Sequence, residues 1–238
     1  MRTPIIIPVF LLSLFLGVPS YSADFNKGLD AYKSKNFKTA FRELKPFAIQ
    51  GNKIAQFSLG FMYKNGEGVS KNTKKALEWY ELSAAQGFAD ANYNLGQMYR
   101  KGDGVKKNMK KAFEFYKVGA ENGSVKAQSN LGAMYQNGVG VKQDQVKALY
   151  WFKVAAQKGH KYSQGNLGIM YYHGQGVKQS FLYAYMWGNI ASSNGFEYGK
   201  MIMIESQKRL NSSKLAEAKT LANECVESNY TICKTLNK

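Results

Sequence analysis

Through most of this chain, small and apolar residues recur three and four positions apart, stop at a glycine, and then recur in a second run. The whole pattern returns 36 residues later. Ala91, Leu95, Met98 and Tyr99 fall on one face of a helix that Gly102 ends. Beyond a short loop, Ala112, Phe115, Tyr116 and Ala120 mark a second helix, closed by Gly123. Ala76, Trp79, Tyr80 and Ala84 repeat that stripe one period earlier, and Ala148, Trp151, Phe152 and Ala156 one period later. The second helices are predicted to open at Asn36, Asn72, Asn108, Asp144 and Ser180, residue types whose side-chain oxygens accept backbone N–H groups at a helix start. The pattern therefore predicts an all-α chain of helix pairs, with its Tyr and Trp in the core.

Three landmarks keep the same interval through four copies without insertion. Leu-Gly pairs stand at Leu59-Gly60, Leu95-Gly96, Leu131-Gly132 and Leu167-Gly168. Met-Tyr follows each, and then Gly-x-Gly-Val. A period of this length belongs to units that bury their apolar faces only against neighbouring copies, so an elongated stack is expected. The full pattern, A-x-x-x-L-G-x-M-Y-x-x-G-x-G-V followed by K-A, W-Y and A-A-x-x-G, is similar to the Sel1-like repeat, a relative of the tetratricopeptide repeat. The resemblance implies a right-handed α/α superhelical solenoid with no single conserved chemistry. It also implies that the first helix of each pair lines the concave, partner-binding groove.

The ends depart from the repeat. Residues 1–23 carry Arg2, an apolar run from Ile5 to Val18 and small residues after it, which reads as a secretory signal peptide cleaved near Ser22 or Ala23. Residues 24–58 form a shortened first unit lacking the Gly-x-Gly-Val loop, as expected of a cap. The repeats run over 59–210, and their fourth copy decays at Tyr183-Ala184 and Trp187-Gly188. A helix is predicted from about Glu197 to Leu210, then a break at Asn211-Ser212-Ser213. Residues 211–238 supply a capping helix.

Charge and cysteine add a compartment to this picture. The formal net charge is +17. Arg2 is the only charged residue of the leader, so a chain without it stays strongly basic and favours anionic partners. Export makes an acidic protein or an anionic envelope surface a better partner than nucleic acid. It also makes Cys225 and Cys233 a candidate disulfide pair, with two free thiols as the alternative, since an oxidising compartment favours joining an even set of cysteines. Some cysteine-rich members of the resembled family use a similar C-x7-C spacing. A periplasmic or secreted location follows, with no membrane span once the leader is removed.

Candidate chemistry is sparse. His160 and His173 are the only histidines and neither has metal-ligand spacing. No phosphate loop, nucleophile elbow or haem motif is present, so no catalytic residue, metal or cofactor is expected. A β-lactam-binding or β-lactamase-like activity, described for some cysteine-rich relatives, is disfavoured because no Ser-x-x-Lys occurs anywhere. What remains is the exposed side of the first helices. Asn94, Asn130 and Asn166 form a polar column suited to bonding a peptide backbone or a neighbouring repeat. Lys64, Arg100, Lys101 and Tyr172 stand beside them as further partner-binding candidates, the three cations placed to meet acidic groups. Lys106, Lys107, Lys110 and Lys111 form a basic edge that would dock an anionic glycan or lipid surface.

Overall fold

The computed structural model describes residues 23–231 and 233; the leader predicted over residues 1–23 lies outside them apart from Ala23. Among the described residues there are twelve helices and no strand. They are α1 (Phe25–Lys33), α2 (Phe37–Ile49), α3 (Lys53–Asn65), α4 (Thr73–Ala85), α5 (Ala89–Lys101) and α6 (Met109–Glu121), followed by α7 (Val125–Asn137), α8 (Gln145–Ala156), α9 (Lys161–His173), α10 (Phe181–Ser193), α11 (Glu197–Gln207) and α12 (Ser212–Glu227).

The helix boundaries follow the local chemistry. Asn36, Asn72, Asn108, Asp144 and Ser180 are the N-caps of α2, α4, α6, α8 and α10, and each side chain accepts the N–H three residues on. Gly66, Gly102, Gly138 and Gly174 close α3, α5, α7 and α9 in the left-handed conformation. The second glycine of each loop does something else. At Gly104 an added Cβ would lie 3.0 Å from Thr73 Cβ, so the loop rests against the start of the preceding unit's second helix.

From α1 to α11 the helices pack in sequence order, each on the next, and α5 also touches α7 as α9 touches α11. First helices thus stand side by side along one face. The core runs the length of the stack. Ala76, Tyr80, Leu95, Met98, Tyr116 and Phe152 are all fully buried. The glycine of Leu-Gly makes room for the ring of its partner helix. A Cβ on Gly96 would sit 2.6 Å from the Tyr116 ring, and Gly60 and Gly132 face Tyr80 and Phe152 in the same way.

The units are also tied by buried amides that the sequence reading did not single out. Gln56 Nε2 donates to Ala48 O (3.1 Å), Gln128 to Ala120 O (3.0 Å) and Gln164 to Ala156 O (3.2 Å). Asn92 reaches Ala84 O and Phe88 O in the same register. The bonds to Ala48, Ala84, Ala120 and Ala156 reach carbonyls at the end of the previous unit's second helix, each of which also accepts the N–H of the glycine three residues on. Gln86 and Asn194 complete the tie by donating to Gln56 and Gln164.

The two ends close differently. At the N-terminal end the fully buried carboxylate of Glu43 accepts the Asp24 N–H and pairs with Arg42 and Lys27, pinning α1 onto α2. At the C-terminal end, α11 takes the place of a fifth first helix, while α12 packs on α10. The predicted break at Asn211-Ser212-Ser213 is narrower than expected. Asn211 is an N-cap accepting the Lys214 N–H, and the two serines already belong to α12. Cys225 and Cys233 are disulfide-bonded and buried. Beside them Tyr230 accepts a hydrogen bond from Asn194 at 3.0 Å. Replacing both cysteines by serine is expected to cost roughly 2–3 kcal/mol, the loop-closure entropy of so short a ring in the chain-entropy model. Hydrogen exchange should accelerate at the end of α12 and not in α5–α8; uniform acceleration would show that the bridge supports the whole stack.

Candidate functional site

The face made by the first helices carries two clefts built from equivalent repeat positions. The first, about 380 Å³, lies between α5, α7 and the start of α9. Tyr93 and Gln97 of α5 form one wall, Lys126, Ser129 and Asn130 of α7 the middle, and His160 and Tyr162 the far wall. The second, about 290 Å³, lies between α9 and α11 and is apolar. Ile169 and Tyr172 face Tyr198, Met201 and Ile202, with His173 and Glu205 at its rim. Tyr162, Tyr198, Met201 and Ile204 are all more than a third exposed, so apolar surface gathers at this end of the face.

Within the polar cleft the hydrogen bonds run in one direction. Arg100 donates through Nε and Nη2 to Gln97 Oε1 at 3.1 and 2.8 Å, and Gln97 Nε2 donates to the Tyr93 hydroxyl at 2.8 Å. Tyr93 therefore accepts and keeps its own proton to donate. The Lys126 ammonium stands 5.9 Å from the centre of the Tyr93 ring and, among the described residues, has no carboxylate within 4 Å.

His160 is the N-cap of α9. Its Nδ1 accepts the Ser163 N–H at 3.3 Å and lies 3.0 Å from Ser163 Oγ. With Nδ1 accepting, the neutral ring carries its proton on Nε2. Burial and the charge of Lys126 both hold the His160 pKa below its usual value. The helix N-terminus opposes a cation there as well. The Ser163–His160 contact is a cap and not a nucleophile pair: Ser163 is fully buried. Among the described residues no three His, Cys, Asp or Glu side chains gather where they would hold a metal ion, and no helix is long and apolar enough to cross a membrane.

The structure separates the other sequence-predicted residues. Lys64 is paired with Asp103 of the next unit at 2.9 Å, a tie between repeats. Asn130 spends its amide on Lys126 O (2.8 Å) within α7 and still lines the polar cleft. Asn94 sits half-buried beside the Tyr80 hydroxyl, Asn166 is half-buried on α9, and Lys101 is exposed. Tyr172 lines the apolar cleft, its ring edge-on to Phe181. Lys106, Lys107 and Lys111 surround a separate cavity of about 480 Å³ with Tyr99, Val105 and Asn108; Lys110 lies outside it. Lys111 stands 5.1 Å over the Tyr99 ring, as Lys75 and Lys147 stand over Tyr63 and Tyr135, so this lysine serves the repeat as well. Tyr93, Lys126, His160 and Tyr162 were not chosen as binding residues from sequence, because they converge only when consecutive units are set side by side.

Comparison with known proteins gives these units a family. The Sel1 repeat model matches residues 53–88, 89–124, 125–160 and 161–196. A Sel1 repeat protein from Oxalobacter formigenes is similar in structure, with a TM-score of 0.74 and 29% identity over 84% of this chain and 85% of that one. The protective antigen c5321 of uropathogenic Escherichia coli, described as displaying an SLR fold, gives a TM-score of 0.58 and 29% identity over 90% of this chain; the match spans 56% of that antigen's length. The immunity protein Pa5087 of Pseudomonas aeruginosa, at 18% identity and a TM-score of 0.50, shares the fold. No curated protein matches. Helix pairs one repeat long, three of them packed through the Leu-Gly glycine against an aromatic ring and all four matched by the Sel1 repeat model, place this chain in the Sel1-repeat family.

Proposed function

We propose that the chain is a non-catalytic adaptor of the bacterial cell envelope that holds an extended segment of a partner protein along its first-helix face. The observation that carries this reading is the pair of clefts in one register. One is apolar and aromatic, one is polar and cationic, and both open on the same side of consecutive first helices. A preformed face of this kind loses little conformational entropy on binding, and the family's fold is typical of protein–protein interaction scaffolds. The predicted leader and the Cys225–Cys233 bridge support export to the periplasm or beyond.

A second reading is supported by the lysine-lined cavity at Lys106, Lys107 and Lys111, which suits an anionic glycan or lipid headgroup. Site-specific photo-crosslinking in the native envelope separates the two. A crosslinker at Tyr162 or Tyr198 is expected to capture one protein partner, whereas one at Tyr150, exposed on α8, should capture none. Capture from Tyr150 alone, or binding that vanishes on charge reversal of Lys106 and Lys107 while the Tyr162 variant captures nothing, would replace the groove reading with the surface one.

A further inference from the structure

The polar cleft between α5, α7 and α9 has a one-sided donor set. Its Lys126 ammonium, Tyr93 hydroxyl, Ser129 hydroxyl and His160 Nε2–H are all able to donate, and no carboxylate lines it. Two of these donors are fixed by bonds made elsewhere. The Arg100–Gln97 chain occupies the Tyr93 oxygen and leaves its proton free, and the Ser163 N–H occupies His160 Nδ1 and leaves Nε2–H free. Asn130 Oδ1 and the Ser129 oxygen leave neutral acceptors on the wall, but the ammonium of Lys126 is the cleft's charge and no lining carboxylate answers it, so the site favours an anion.

We infer that this cleft takes the side-chain carboxylate of an aspartate or glutamate in the bound segment, held by Lys126 Nζ, the Tyr93 hydroxyl and His160 Nε2. The inference deepens the adaptor reading and rests on it for the source of the carboxylate. A side chain is preferred to a chain terminus because the cleft is open along the face, so a segment passes through it to reach the apolar cleft at Tyr198 and Met201.

Binding of this kind is linked to protons. The charged group facing His160 from α7 is Lys126; Tyr93 of α5 and Tyr162 of α9 are the titratable rings beside it. Lys161, whose ammonium stands 5.5 Å from the centre of the Tyr162 ring, donates to Gly195 O at 3.0 Å, and Lys158 to Gly123 O at 3.4 Å. A carboxylate placed among them offsets the Lys126 charge and favours imidazolium, so it raises the His160 pKa. By linkage, affinity must then rise as pH falls between the bound-state and free-state values, by up to about tenfold per pH unit for one proton taken up.

NMR pH titration of the two histidines in the purified protein tests this without the partner. With acetyl-glutamate amide present, the His160 midpoint is expected to move up and the His173 midpoint to stay. The neutral acetyl-glutamine amide should move neither. Lys126→Ala should raise the His160 midpoint in the free protein and abolish the response to the ligand. An unchanged His160 midpoint, or an equal response to the glutamine analogue, overturns the inference. If photo-crosslinking still succeeds at Tyr162 in that case, the adaptor reading stands and only the carboxylate site falls.

Discussion

Gly188→Phe, which puts back the ring that three other units carry at this position, is expected to destabilise the C-terminal part of the stack by about 3 kcal/mol, at the upper end of overpacking costs. The equivalent residues are Tyr80, Tyr116 and Phe152, each lying over the glycine of a Leu-Gly pair. In the fourth unit the ring is gone and backbones meet instead. A Cβ at Gly188 would lie 2.9 Å from both Gly199 O and Met203 N, and a Cβ at Gly199 would lie 2.7 Å from Gly188 O and Ser192 N. These neighbours are main chain and cannot swing aside as a side-chain end would. The three glycines Gly168, Gly188 and Gly199 therefore bring α9, α10 and α11 together, and α11 is the element that carries half of the apolar cleft. Denaturant unfolding should show the loss, and hydrogen exchange should place it in α10–α12 while α3–α6 keep their protection, because neighbouring units couple only locally. A wild-type midpoint would mean that α11 moves away at no cost and that the close approach is incidental.

That substitution also marks where the sequence stopped being legible. The caps could be read directly. Asn72, Asn108, Asp144 and Ser180 act on backbone groups within three residues, and Gly102 and Gly138 close helices by their own conformation. The core positions were legible for the same reason: Leu95, Met98 and Tyr116 announce themselves by spacing along one helix. Gln56, Gln128 and Gln164 were not, because a polar residue near a helix start reads as solvated unless one knows which carbonyl ends the helix before it. The decay at Trp187-Gly188 was visible as a departure, but its purpose was not, since it depends on Gly199 in an element that no longer follows the repeat. The placement of α12 on α10 is likewise a long-range choice, made by Ala222 and Cys225 entering a core already shaped by Trp187 and Ile190. The polar cleft lay furthest from view. Its walls are contributed by three units, and His160, whose column elsewhere holds Asn52, Phe88 and Ser124, reveals its role only through the bond to Ser163 and the approach of Lys126.

Tyr116→Ala and Tyr116→Phe are expected to differ by almost the whole value of a core ring. Tyr116 is fully buried against Gly96 of the paired helix and lies 6.1 Å from the Tyr93 ring, centre to centre. Truncation to alanine removes a ring that its surroundings cannot refill and should cost about 3–5 kcal/mol. The hydroxyl is a different matter. It is buried and makes no hydrogen bond of good geometry, although Arg100, which bonds Gln97 through Nε and Nη2, stands near enough for its charge and remaining N–H groups to act on it. Burial pushes its pKa up to about 12, against the pull of the Arg100 charge. Removing a buried hydroxyl that is not bonded relieves a desolvation penalty, so Tyr116→Phe should fall within about 1 kcal/mol of wild type or be stabilising. The same column already holds a phenylalanine, Phe152, in the next unit. Paired urea titrations measure both changes. If phenylalanine costs as much as alanine, the hydroxyl holds Arg100 in place, and the Arg100–Gln97–Tyr93 chain of the polar cleft begins in the core. If phenylalanine is neutral, that chain starts at Arg100, and the cleft can be altered from the surface without loss to the stack beneath it.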